Sequence, residues 1–296
     1  MQEIVIPFSE SAKKLENYLK KNFPIGYVRK LFRKNAIRIN GQRALPDTFI
    51  QPSDRIQIFI PFENQERRAT ISPHRAIQLQ TLFEGDDLLV INKPPGIAVH
   101  EAKDILKRET VIGILEAAYK NAGVRPRLVH RLDKETSGIL LLGKAERTAK
   151  ELERLFEKGD INKEYLCLVV GLLPQNEGKI EFPLPGREGH TVPALTRFRV
   201  VKRFSTTTLV RARIETGRMH QIRLHFAQLG YPIVMDGQHG DYAFNKSFRR
   251  EFGLKRQFLH ASRLMLDYLG KKHTWTAPVP RDLDETLKRL DSKTVR

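Results

Sequence analysis

Apolar and polar positions along the chain switch between two periods. Over residues 11–23, Leu15, Tyr18 and Leu19 fall on one helical face, and Lys13, Lys14, Lys20 and Lys21 cover the rest. Ser11 stands where a helix cap is expected. Residues 27–34 repeat the pattern, with Val28, Leu31 and Phe32 inward and Arg29, Lys30, Arg33 and Lys34 outward. The period then drops to two. Ile37-Arg38-Ile39 alternates, Asn40-Gly41 is a two-residue hairpin signal, and Ile56, Ile58 and Ile60 share one side of a further strand. Residues 61–80 hold no period. Their prolines and charged side chains predict a linker.

A longer series of elements begins at residue 81. Leu88-Leu89-Val90-Ile91 and Ile139-Leu140-Leu141-Leu142 are short continuous apolar runs, the pattern of strands buried on both faces. Lys93-Pro94-Pro95-Gly96 predicts a rigid corner. Helices are predicted over residues 110–119, 145–158 and 220–229, the last stopped by Gly230 and Pro232. Residues 162–171 predict a strand with Tyr165, Cys167 and Val169 on one side and Leu166, Leu168 and Val170 on the other. Strands are also predicted over 195–201 and 209–214. The fold class is therefore α+β: a small unit over residues 1–60, a linker over 61–80 and a larger unit over 81–296.

Charge narrows the choice of partner. The 296 residues carry a formal net charge of +18. Such an excess repels itself and favours a polyanion, nucleic acid before an acidic membrane surface. Residues 1–60 alone hold 11 Lys plus Arg against 5 Asp plus Glu. No apolar run approaches the ~20 residues of a membrane span, and Met1-Gln2-Glu3 does not read as a secretory leader. Cys167 is the only cysteine, which excludes an internal disulfide and a Cys-based zinc site. His220 and His225 are five apart, not four, so a helical metal pair is not expected. A cytoplasmic monomer without a metal is the expectation.

The densest chemistry precedes the second apolar run. Arg127, His130, Arg131, Asp133, Lys134 and Glu135 crowd its start. Cations around one carboxylate favour its charged form, and a held carboxylate can act as nucleophile or base. The ordinary reading of such a run is a solvated loop of ion pairs. A kinase catalytic loop has similar letters in another order and is rejected, since neither a kinase Gly-rich loop nor Asp-Phe-Gly is present.

At His130-Arg131-Leu132-Asp133 and Thr136-Ser137-Gly138 the chain resembles the RluA-type RNA pseudouridine synthases. The Lys93-Pro94 corner with Val99-His100, Lys163-x-Tyr165, and Gly217-Arg218-Met219-His220-Gln221-Ile222-Arg223 resemble the same family in the same order. Met219 departs from its usual Thr, and His239 from a commoner Tyr. The resemblance implies a catalytic unit built on a mixed, largely antiparallel sheet, isomerising uridine in RNA without a cofactor. It implies Asp133 as the catalytic residue, paired with Arg223, with Tyr165 against the uracil and Leu259 walling the pocket. Arg131 is implied as the side chain that props the vacated stack, with His130 and Arg218 also facing RNA. The two basic helices and hairpin resemble an S4 RNA-binding domain, with Arg29, Lys30, Arg33, Lys34 and Arg38 as its RNA contacts. The wider match is closest to the RluC-like branch, which acts on large-subunit ribosomal RNA. A synthase acting on tRNA and a non-catalytic RNA-binding or ribosome-assembly factor are the alternatives.

Overall fold

The computed structural model describes residues 2–7, 11–23, 25–60, 79–101, 105, 107–186 and 190–294. The chain divides into two compact units, residues 1–78 and 79–296. Residues 61–78, most of the expected linker, lie outside the described residues.

In the first unit a four-stranded antiparallel sheet runs β1 (Gln2–Val5), β6 (Arg55–Ile58), β3 (Ile37–Ile39), β4 (Gln42–Arg43). Helices α1 (Leu15–Asn22) and α2 (Ile25–Arg33) belong to the same unit. Leu15, Leu19, Val28, Leu31, Ile37, Ile56 and Ile58 bury together as its core. Asn40 and Gly41 both have positive φ, 49° and 82°, the geometry of a tight primed hairpin turn. Asn40 also bonds Asp54 and the Arg55 amide, both at 2.8 Å, which ties the hairpin to β6.

One expectation here needs correcting. Residues 13–14 form β2 and pair with β5 (Phe49–Ile50), so the first helix starts at Leu15 rather than Ser11. Its first amides donate to the Thr48 and Pro46 carbonyls at 2.7 and 3.1 Å. Loop carbonyls take the place of a capping side chain. Strand β1 had no prior signal, being short and lying at a sheet edge.

The second unit is organised by one ten-stranded sheet. Its main path is β12 (Glu177–Ile180), β15 (Thr196–Arg203), β16 (Thr207–Ile214), β11 (Asn162–Val170), β17 (Leu259–Tyr268), β10 (Ser137–Gly143), β8 (Leu88–Lys93) and β7 (Gln80–Glu84). Strand β18 (Lys271–Thr276) pairs with β17, and β9 (Arg127–Leu128) pairs with β10. A separate small hairpin joins β13 (Leu184–Pro185) to β14 (Thr191–Val192). Gln80 lies in β7, so the ordered sheet reaches one residue into the expected linker.

The sheet is buried on both faces. On one, Leu140, Leu142, Cys167 and Val169 pack with α3 (Val111–Ala118) and α5 (Gln221–Gln228). On the other, Ile139, Leu141 and Leu152 pack together, drawing in α4 (Glu146–Lys158). Leu166 and Leu168 cover the same side with α6 (Tyr242–Phe252) and α7 (Arg281–Thr294). Each fully buried Leu or Ile is worth about 1.5–3 kcal/mol, so all seven residues of β10 are held from both sides. Thr110 caps α3 through the Gly113 amide at 3.2 Å, as its place before an apolar helix predicts.

One pairing in this sheet is parallel. Strands β10 and β17 meet only at Ser137–His260 and Gly138–Ala261, then diverge toward β9 and β18. Gly138 has φ +111°, and a Cβ there would stand 2.2 Å from the Ala261 carbonyl oxygen. No other residue type permits that approach. The loop leading into β10 therefore lands beside the start of β17.

Candidate active site

That loop is held residue by residue. His130 accepts the Leu141 amide on Nε2 at 2.9 Å, at a point where β10 has parted from β17. Lys134 gives its carbonyl to the Lys93 ammonium at 3.0 Å and to the Gly96 amide at 2.9 Å. Lys93 is fully buried, and its other two bonds go to Pro94 and Ile97 carbonyls at 2.8 and 2.9 Å. Three carbonyls match the three N–H donors of an ammonium. Arg256 donates to the Glu135 carbonyl at 3.3 Å, Gln257 to the Thr136 hydroxyl at 2.7 Å, and His260 bonds Ser137 at 3.0 Å. Asp133 sits within this framework and closes a tight turn through its carbonyl and the Thr136 amide.

Arg223 comes from α5, 90 positions away in sequence, and places Nη1 2.9 Å from Asp133 Oδ2. Its fork, Nε with Nη2, goes to a second carboxylate, Asp236, at 2.6 and 2.8 Å. Gln238 accepts from Nη2 at 3.2 Å. The resemblance implied a pairing of Arg223 with Asp133. The geometry makes that the single-bonded arm, while the bidentate bond belongs to Asp236, whose side chain is wholly buried. Burial alone would raise the Asp236 pKa, but bonds from Arg223 and the His239 and Gln238 amides hold it below the usual range. Arg223 is thus braced by a buried anion before it reaches Asp133. Sequence reasoning had given Asp236 no role in the site. The available signal was a carboxylate ending the apolar run Pro232 to Met235, where only a cation could compensate its burial.

His220 also approaches Asp133, with Nε2 3.7 Å from Oδ1, and its Nδ1 lies 3.0 Å from His239 Nε2. Burial lowers its pKa, against the pull of Asp133 and with the push of Arg223 and His239, while Asp236 also raises it. It occupies a left-handed conformation, φ 53°, at the start of α5. Gln221 pins the same helix end through Thr216, Leu195 and Thr196. His225 turns away, bonding Thr196 and the Phe182 carbonyl at 2.9 Å each, so the two histidines do not converge. Among the described residues no group of three or more His, Cys, Asp or Glu could hold a metal.

Asp133 opens onto a hollow of about 940 Å³. Tyr165 of β11 and Leu259 of β17, both buried, line it together with Arg131 and Arg218. Burial first and Asp133 second raise the Tyr165 pKa, so its hydroxyl is a neutral phenol. Arg131 is exposed and makes no ion pair or hydrogen bond among the described residues. Arg218 is exposed as well, with one long bond from Nε to the Pro193 carbonyl at 3.3 Å.

His130 was expected among the RNA contacts; it lines the hollow, and its Nε2 accepts the Leu141 amide. Burial and the Lys163 ammonium push its pKa down to about 3. The ring packs 4.8 Å from Phe156, and Lys163 Nζ lies over that same ring at 5.1 Å. The imidazole works as an anchor for the loop. In the first unit Arg29, Lys30, Arg33, Lys34 and Arg38 are all exposed, and Arg38 stacks over Phe59 at 5.0 Å.

A buried arginine tying a loop aspartate to a sheet-lined hollow defines a site built around one held carboxylate. The profile of the RNA pseudouridylate synthase family matches residues 87–228, a span that contains Asp133, Tyr165 and Arg223. The chain belongs to that family. It is 33% identical over 317 residues to ribosomal large subunit pseudouridine synthase C of Escherichia coli (strain K12), covering 98% of this chain and 95% of that one. The protein of the same description from Haemophilus influenzae is also 33% identical, over 98% of this chain and 94% of its own. Among solved structures, human RNA pseudouridylate synthase domain containing 4 superposes with a TM-score of 0.62 at 24% identity, over 72% of this chain and 93% of that one. This last likeness concerns the fold.

Proposed function

We propose that this enzyme isomerises uridine to pseudouridine in large-subunit ribosomal RNA, with Asp133 as the catalytic residue. The observation that carries the reading is the Asp236–Arg223–Asp133 chain of bonds at the floor of a hollow walled by Tyr165 and Leu259. The reaction moves C1′ from N1 to C5 and one proton from C5 to N1. Reactant and product are isomers, so the balance needs neither oxidant nor nucleotide.

A uridine inside a helix or tight loop is out of reach and must be flipped out. The hollow accepts its base against Tyr165 and Leu259, and Arg131 can stack where the base had been. Arg223 holds Asp133 in one orientation, whether the carboxylate attacks the sugar or the base. Tyr165, buried in the wall of the hollow, lies against the uracil. The first unit acts as an S4-like RNA-binding module, its exposed cations neutralising phosphates without reading bases. The substrate reading rests on the names of the bacterial relatives and on the basic character of the chain.

The test is incubation of the full chain with uridine-labelled large-subunit ribosomal RNA, without added cofactor, followed by nucleoside analysis and mapping of modified positions. Pseudouridine at discrete sites is the expected result. Its appearance only in tRNA would overturn the ribosomal substrate, and its absence from every RNA would overturn the activity.

A further inference from the structure

The hollow that holds Tyr165 does not end the cleft. Beyond the Asp133–Arg223 pair lies a second hollow of about 580 Å³, which shares Arg131, Asp133, His220 and Arg223 with the first. Its remaining wall brings in Lys134, Arg249 and Lys255, all exposed. These cations come from separate segments: the loop before β10, the last turn of α6, and the chain after that helix.

Among the described residues the carboxylates on this wall make no ion pair with them. Asp133 is bonded to Arg223, and Glu135 is paired with none of these cations. A further cation of the wall, Arg256, is spent on Asp282 at 2.6 and 3.0 Å. Among the described residues Arg131, Lys134, Arg249 and Lys255 make no ion pair. Part of this has an ordinary cause, since cations in a helix's last turn complement its dipole, and both Arg249 and Arg250 lie there. The dipole accounts for Arg249 on its own helix. It does not account for Lys255, Lys134 and Arg131 converging on the same concave surface, where uncompensated like charges repel.

A flipped base fills the first hollow, but its sugar–phosphate chain stays at the rim and must continue over adjoining surface. We propose that the second hollow is a phosphate subsite for the RNA strand on one side of the target uridine, with Arg249 and Lys255 at its far edge. This rests on the RNA-isomerase reading and adds a direction for the strand: from Tyr165, across Asp133, toward the end of α6.

The experiment compares the full chain with its Arg249→Ala/Lys255→Ala double variant. The substrates are a stem-loop carrying the target uridine and the same stem-loop trimmed on its 5′ or 3′ side. Both side chains are exposed, and an unchanged melting curve verifies folding. The variant is expected to raise KM about tenfold on the full stem-loop, and to make the plot of log affinity against log salt shallower by about 0.7–0.9 for each phosphate no longer neutralised. kcat at saturating RNA is expected to stay near that of the unaltered chain. Arg249→Lys/Lys255→Arg should restore both. Trimming one side should erase the penalty and so identify which side of the uridine the subsite holds. An unchanged salt slope, or a penalty that survives trimming on both sides, overturns the proposal. Binding and salt slope are read without turnover, so failure of the subsite is distinct from failure of the isomerase reading, which shows as an absence of pseudouridine with the unaltered chain.

Discussion

Two sets of cations in this molecule have opposite surroundings. Arg223 donates to Asp133, Asp236 and Gln238 and is almost wholly buried. Arg29, Lys30, Arg33 and Lys34 of the first unit are exposed. A braced guanidinium can fix one carboxylate to a few tenths of an ångström, because its alternatives are excluded by packing. Exposed side chains keep their rotamer freedom and attract phosphates wherever these lie. The first arrangement suits chemistry at one atom, and the second suits affinity for a polyanion. Removing one partner should therefore be severe in the first set and graded in the second.

The largest effect is expected at the carboxylate itself. Asp133→Asn should lower turnover by about 10³-fold or more while leaving RNA affinity and thermal melting close to those of the unaltered chain. Substantial pseudouridine formation by this variant would break the comparison at its root.

Arg223→Leu comes next and should act on both stability and turnover. It leaves Asp236 buried without its cation, which costs about 3–5 kcal/mol, read as a lower denaturation midpoint. Arg223→Lys keeps the charge and loses the fork, so it should fall between. The sharper form is the Arg223→Leu/Asp236→Leu pair, which should regain stability without regaining turnover. If the pair regained both, the arginine would serve the fold alone.

The exposed set should behave otherwise. Replacing Arg29, Lys30, Arg33 and Lys34 together by Gln should weaken binding to ribosomal RNA and flatten its salt dependence by up to about 0.7–0.9 for each phosphate that loses its cation. Stability should change by less than about 0.5 kcal/mol per site. A collapse of kcat in this variant would mean that the first unit helps build the active site.

A separate effect, read against pH, concerns Lys93, whose burial lowers its pKa to about 7. An unfolded lysine binds its proton up to about pH 10.4. Between pH 7 and that value the unfolded chain therefore holds more protons, and this group makes stability rise with pH, by at most about 1.4 kcal/mol per unit. Lys93→Met should abolish that slope and loosen the loop carrying Asp133. Parallel plots of stability against pH for the two proteins would exclude such a shift.

The sequence showed how local choices divide the molecule more clearly than how its charges pair. Burial on both faces was legible in the run from Ile139 to Leu142 because no polar residue interrupts it: Ile139, Leu140, Leu141 and Leu142 are all buried. The two faces of residues 162–170 followed from alternation, with Cys167 and Val169 in one cluster and Leu166 and Leu168 in another. The Asn40-Gly41 turn was legible because positive φ is a property of those residue types. By contrast, Ser11 looked like a cap until residues 13–14 were drawn into pairing with 49–50. Helix α6 gave no clear advance signal, although Asp241 caps it through the Phe244 amide at 2.9 Å.

By itself the sequence determined the types of the longer elements from β8 to β11, the basic character of the chain and the loop in which Asp133 stands. Each depends on neighbours in the chain, on period, charge and turn chemistry, and these survive without tertiary contacts. Only the folded chain decided that Arg223 gives its fork to Asp236, that His130 accepts the Leu141 amide, and that Lys93 clamps the carbonyl beside Asp133. Those partners lie 13, 11 and 41 positions apart, and Arg223 and Asp133 lie 90 apart. A short-range pattern carries no information about which distant donor will be desolvated against which acceptor. That is settled only when the chain folds and distant groups are desolvated against one another.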